Sequence, residues 1–127
     1  MAVELNHTIV HARNKLVSAT FMSEMLGLPP PEAFYHFLVV RTANGVSLDF
    51  LETDQDIEIA HYAFLVSEDD FDRIFARLQE RGVPYYADPS LSRANQINRN
   101  DGGRGVYFAD PAGHVLEAIT VPYGGKR

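Results

Sequence analysis

Residues 105–119 read GVYFADPAGHVLEAI. Two β-rich runs, Gly105–Ala109 and Val115–Val121, flank Asp110-Pro111-Ala112-Gly113, in which proline presets φ and glycine admits the left-handed region. Side chains alternate along a strand, so Leu116 and Ala118 oppose Val115, Glu117 and Ile119. A carboxylate therefore stands in the middle of the last strand. The same arrangement occurs 68 residues earlier, where Gly45 superposes on Gly113, Leu48 on Leu116 and Asp49 on Glu117. In that copy Tyr35–Arg41 is β-rich, Asn44-Gly45 is a hairpin turn, and Val46–Leu51 is the following strand.

Working outward, each hairpin is preceded by a helix and each helix by a strand. Leu5–Val10 reads as a strand and Asn14–Leu26 as a helix, with Val17, Phe21 and Met25 recurring every four residues and Gly27 supplying its C-terminal cap. Pro29, Pro30 and Pro31 forbid its continuation. Ile57–Val66 reads as the corresponding second strand. Ser67 is then an N-cap, with Glu68, Asp69 and Asp70 at the positive end of a helix whose apolar stripe is Phe71, Ile74, Phe75 and Leu78. An offset of 54 superposes His7 on His61 and Phe21 on Phe75, and an offset of 55 superposes Gly27 on Gly82. The second half carries 13 extra residues after its helix. They fall in the polar stretch Asp88–Gly103, and Val83–Tyr86 is expected as a short strand before it. The fold class is α+β: one domain over residues 1–127, built from two pseudo-symmetric modules, about 4–52 and 57–121.

The bulk properties agree. The chain has 127 residues with 46% hydrophobic content, and a protein of 14.2 kDa buries roughly two thirds of its surface on folding. Eleven Lys and Arg against 17 Asp and Glu give a net charge of −6, which disfavours nucleic-acid and anionic-membrane partners. The absence of cysteine excludes disulfides and thiolate sites and fits a reducing cytoplasm. The first residues lack the basic and apolar regions of a signal peptide, and no apolar run approaches the ~20 residues that span a bilayer. A small-molecule substrate is the expected partner.

The repeat puts a histidine on the first strand of each half, His7 and His61, and a carboxylate on the last, Asp49 and Glu117. With the helices covering the Leu48 and Leu116 face, these four converge on the other. Two imidazoles and one or two carboxylates suit a divalent transition metal with open positions for substrate. The alternative is a solvated sheet face with no metal. His11 lies ~13 Å along its strand from His7, too far for the same coordination shell. His114 points to the opposite face, and His36 has no identifiable partner. The loop 93–100 is either a lid for a polar ligand or a solvated loop.

The stretches LNHTIV, AHYAFLV and GVYFADPAGHVLEAI resemble the vicinal-oxygen-chelate superfamily, which includes glyoxalase I, extradiol dioxygenases, fosfomycin-modifying transferases and bleomycin-resistance proteins. The resemblance implies two βαβββ modules forming a half-open sheet cup, helices on the outer face, around one divalent metal ion per chain (Zn, Ni, Mn or Fe). His7, His61 and Glu117 match its three commonest metal ligands. Asp49 matches the fourth ligand of glyoxalase I, one methylene shorter, and stands as candidate ligand or base. Tyr107 matches a tyrosine on the substrate side. Ile9 replaces the threonine of fosfomycin transferases, and no match for the base histidine of extradiol enzymes lies between Gly45 and Ala60. The implied function is metal-dependent chemistry on a substrate chelated through two vicinal oxygens, of glyoxalase-like lyase, isomerase or fosfomycin-transferase type. The alternatives are an Fe(II) extradiol dioxygenase and a non-catalytic ligand-binding protein of the bleomycin-resistance type. A homodimer is expected.

Overall fold

Strand β1 (His7–Ala12) alternates exposed His7, Ile9 and His11 with less exposed Thr8 and buried Val10 and Ala12. It begins two residues later than its composition suggests and runs on to Ala12, because β4 (Ser47–Glu52) offers register partners from His7↔Ser47 to Ala12↔Glu52. Between them lie α1 (Lys15–Leu26), β2 (Glu32–Phe34) and β3 (Phe37–Arg41). The order in this four-stranded sheet is β1-β4-β3-β2, with β1 parallel to β4 and the other pairs antiparallel. Asn14 caps α1 by accepting the Val17 N–H, and Gly27, at φ 71°, closes its other end. Strand β2 follows directly on the proline run. It is an edge strand, where prolines cost no internal ladder bond.

The helix α1 buries only part of the stripe that its four-residue spacing suggests. Met22 and Met25 are fully buried with Ser18 and Ala19, whereas Val17 is 50% exposed. The segment is apolar on most sides, so periodicity alone does not select a face. With Val10, Val40 and Phe50, the two methionines form the core of this part of the chain.

The structure is a computed structural model describing residues 2–125, and it divides into two compact units, the first ending at Glu58 and the second beginning at Ile59. The second unit contains β5 (His61–Leu65), α2 (Glu68–Glu80), β6 (Gly105–Ala109) and β7 (Val115–Ile119). Its sheet order is β5-β7-β6, with β5 parallel to β7 and β6 antiparallel, repeating the pattern of the first unit. Ser67 caps α2 by accepting the Asp70 N–H, and Phe71, Ile74 and Leu78 are fully buried. Arg104, at the start of β6, reaches Glu68 at 2.8 Å and Asp72 at 2.9 Å, and its guanidinium lies 4.4 Å from the Phe71 ring centre.

The expected strand Val83–Tyr86 is reduced to one bridging residue. Tyr86 and Tyr107 exchange two backbone hydrogen bonds of 2.8 Å. Beyond it the polar loop turns back, and Asn98 bridges to Gly105 on the same strand. The loop is therefore tied along the outer edge of β6 rather than standing free in solvent. The Asp88 carboxylate holds its near end by accepting the backbone N–H groups of Ser92 and Arg93. Close approach explains two glycines: a Cβ on Gly103 would stand 2.6 Å from Val121, and one on Gly105 2.8 Å from Asn98. Among the described residues no helix is long and apolar enough to cross a membrane.

Candidate functional site

The Asp110–His114 turn aligns the strands that carry the site. Asp110 N–H donates to the His114 carbonyl at 2.9 Å, and Gly113, at φ 95°, donates to the Asp110 carbonyl. The Asp110 carboxylate accepts the N–H of Ala112 at 3.0 Å and of His114 at 2.8 Å through one oxygen. Its other oxygen is buried without a hydrogen-bond partner. Burial accordingly holds the Asp110 carboxyl above the ordinary range, against the bonds from the turn. His114 is buried, and its Nδ1 accepts the Ala60 N–H at 3.0 Å. That bond fixes the start of β5 beside the start of β7. His114 thus has a positioning role within the sheet, on the face opposite Glu117.

With the strands so aligned, Glu117 has Ala63 beside it on β5 and Tyr107 beside it on β6. His61, two residues before Ala63, shares their face. Its Nε2 lies 3.0 Å from Glu117 Oε1, and its Nδ1 lies 3.1 Å from the Val115 carbonyl oxygen. The Tyr107 ring stacks on His61 with centroids 6.0 Å apart. Glu117 is only 1% exposed, yet it sits at the centre of a polar cluster.

One member of this cluster was not singled out from the sequence. Tyr123 donates its hydroxyl to Glu117 Oε1 at 2.6 Å, and its oxygen lies 3.3 Å from the Tyr107 hydroxyl. It follows the last strand in a Pro-Tyr-Gly-Gly turn and belongs to no periodic element. The one signal was an aromatic residue six positions after Glu117. Burial, followed by bonding to Tyr123 and the nearby Glu117 charge, pushes the Tyr107 phenol far above its ordinary range. Tyr123 is raised by burial first and by Glu117 second. Both phenols therefore keep their protons at neutral pH.

The donor set fits a metal. A carbonyl can only accept, so His61 donates Nδ1–H to Val115 and turns Nε2 toward a carboxylate, which also only accepts. That position calls for a cation, either a proton or a metal ion, between the two. The 3.0 Å separation accommodates either, since it is a hydrogen-bond distance and also the spacing of two donors that share a metal at ~2.0–2.1 Å. A histidine anchored through its other ring nitrogen is the usual support of a metal ligand.

In the first unit, His7 Nδ1 bonds Asn6 Oδ1 at 2.8 Å, which likewise assigns the lone pair to Nε2. His7 and Asp49 occupy one face of the β1–β4 pair, and Ser47 Oγ donates to Asp49 Oδ1 at 2.6 Å. Among the described residues no group of three or more His, Cys, Asp or Glu is gathered that can hold a metal, and the pair brought together is His61 with Glu117. His36 is placed by its backbone, its carbonyl accepting Lys15 Nζ at 2.8 Å, and its ring tilts against Phe37.

Comparison with known proteins agrees with this architecture. A family model, Glyoxalase/Bleomycin resistance protein/Dioxygenase superfamily, matches residues 4–118. The glutathione transferase FosA of Serratia marcescens is 32% identical over 124 residues, covering 92% of this chain and 80% of that protein. Two solved structures, oxidase ChaP-H1 and oxidase ChaP-H2, are 54% and 55% identical, with TM-scores of 0.95 and 0.94. Each alignment covers 98% of this chain, with 100% of the first and 99% of the second. With nearly its whole length matched and the repeated sheet pattern in place, the chain belongs to the glyoxalase, bleomycin-resistance and dioxygenase superfamily.

Proposed function

We propose that this protein is a metal-dependent oxidative enzyme acting on a small substrate bound through two neighbouring oxygens, with dioxygen as the oxidant. The observation that carries the reading is the His61–Glu117 pair, with Nδ1 of His61 anchored and Nε2 facing the carboxylate. His7, His61 and Glu117 are the proposed ligands. The oxidative character is supported by the 54–55% identity to the two oxidases, against 32% to the transferase. Ile9, where fosfomycin transferases have threonine, points the same way. The reading thus moves from lyase, isomerase or transferase chemistry toward the dioxygenase alternative that the sequence had left open.

A divalent metal, iron for oxygen chemistry, would supply the Lewis-acid and redox centre at which the two substrate oxygens are held. The protein's own groups do the rest. Tyr107, kept neutral, donates a hydrogen bond to a substrate oxygen as negative charge develops there. Asp49 takes the proton from the substrate hydroxyl. A non-catalytic sequestering protein has no need of the paired donors. The protein is proposed to work as a homodimer in the cytoplasm.

The test is oxygen uptake by Fe(II)-loaded protein with a series of catechols, beside a fosfomycin and glutathione adduct assay. Oxygen consumption that matches catechol loss is the expected result. Adduct formation without oxygen uptake would replace this reading with the transferase one.

A further inference from the structure

Tyr123 stands in the turn 122–125, closed by the Gly125 N–H on the Pro122 carbonyl at 2.9 Å. The residue is 63% exposed, yet its hydroxyl turns inward to Glu117 Oε1 at 2.6 Å. A hydroxyl has a single proton. Because that of Tyr123 goes to the carboxylate, its oxygen can only accept from Tyr107. The hydrogen bonds therefore run in one direction, from Tyr107 to Tyr123 to Glu117, and Glu117 Oε1 faces His61 Nε2 as well.

The two links differ in strength. A separation of 2.6 Å lies in the short range of hydrogen bonds to an ionised carboxylate. The 3.3 Å between the phenols lies beyond the usual ~2.5–3.0 Å for O–H···O. Tyr123 thus holds Glu117 firmly and Tyr107 weakly. We propose that Tyr123 is a positioning residue of the site: it fixes Glu117 Oε1 for the metal and leaves the Tyr107 hydroxyl in a weak hydrogen bond that a substrate oxygen can replace. The inference rests on the proposed ligand role of His61 and Glu117 and adds a residue outside both modules' repeating elements.

Cobalt(II) is the probe, with affinity measured by chelator competition and the ligand field read from the visible spectrum. Tyr123→Phe keeps the ring and removes the hydroxyl, and Tyr123→Ala removes both. Both are expected to weaken Co(II) binding by about tenfold and to shift the visible bands of the bound ion equally, while Tyr35→Phe, an exposed tyrosine of the first unit, does neither. Parent-like affinity and bands in Tyr123→Phe, whether or not the alanine variant is weakened, would show that the hydroxyl does not position Glu117 and would overturn the proposal alone. A parent protein that binds no Co(II), or binds it unchanged after His61→Ala, would overturn the ligand assignment and this proposal with it.

Discussion

His61 gives its Nδ1–H to the carbonyl of Val115, its register partner in the parallel neighbour strand, at 3.1 Å. The backbone of the strand that carries Glu117 therefore sets the rotation of the imidazole on the next strand. Donor and carboxylate are not two side chains that happen to meet. They are both oriented by one β5–β7 pairing, so the sheet backbone sets the geometry of the pair.

The first expected outcome is stoichiometric metal binding. Protein purified without a histidine-rich tag should carry about one divalent metal per chain, and His61→Ala and Glu117→Ala should each lower affinity by at least 100-fold, as direct ligands do beyond the 10–100-fold of outer partners. Elemental analysis with chelator competition checks this. Retention of metal by both variants removes them from the ligand set.

Asp49 separates ligand from base. Its Oδ1 already accepts the Ser47 hydroxyl, an orientation suited to a fixed acceptor. Asp49→Ala is expected to keep its metal while turnover falls by about 10²–10⁴. Metal content and kcat on the same preparation decide the matter; full activity with full metal would dismiss Asp49 from the chemistry.

Asp110 predicts a split between two substitutions. Asp110→Ala leaves the N–H groups of Ala112 and His114 without their acceptor and should cost about 2–4 kcal/mol. Asp110→Asn keeps the accepting oxygen and removes a buried charge, so it should cost less than half as much. Urea unfolding of both measures the difference, and equal losses would mean that the charge itself holds the turn.

Asp88 predicts an acid-sensitive loop. Bonds from the Ser92 side chain first, then from the backbone of Arg93 and Ser92, hold its carboxyl below the ordinary range. A depressed folded value means that the ionised form is favoured by folding. The contribution is complete above the unfolded value of about 3.9 and is lost as pH falls through the lower folded value. Amide exchange at Ser92 and Arg93, corrected for its intrinsic pH dependence, should be protected at pH 6 and lose that protection only below about 3.9; Asp88→Asn should show weakened protection at both pH values.

The repeat was legible because its markers are local: alternation around Glu117, the Asn44-Gly45 turn and the Ser67 cap all act within a few residues. The Ser67 and Gly27 caps fall where the sequence places them. The buried face of α1 was legible at Met25 and not at Val17, since a helix apolar on most sides yields no preferred stripe. Strand β2 was hidden behind Pro31, and the strand expected at Val83–Tyr86 survives as a single bridge because the returning loop takes part of the same edge. In the site, His61 and Glu117 could be placed on one face from strand parity, and Tyr107 from the family resemblance. Tyr123 could not, because a turn residue reaches its partner through a hydrogen bond that no period encodes.

Gly103 and Gly105 leave one more consequence. Each admits no side chain without displacing Val121, Thr120 or Asn98, so the return of the loop onto β6 is sterically dictated. The backbone of the tip is held too, by Asp88 at Ser92 and Arg93 and by the Asn95 N–H on the Tyr85 carbonyl, but the side chains of Arg93, Ala94 and Gln96 are exposed. The segment behaves as an exchangeable cassette with fixed ends. Substitution of the exposed side chains at the tip should be tolerated, whereas a single added methyl at either glycine should not. A selection for new substrates would therefore best randomise positions 93, 94 and 96 and leave both glycines alone.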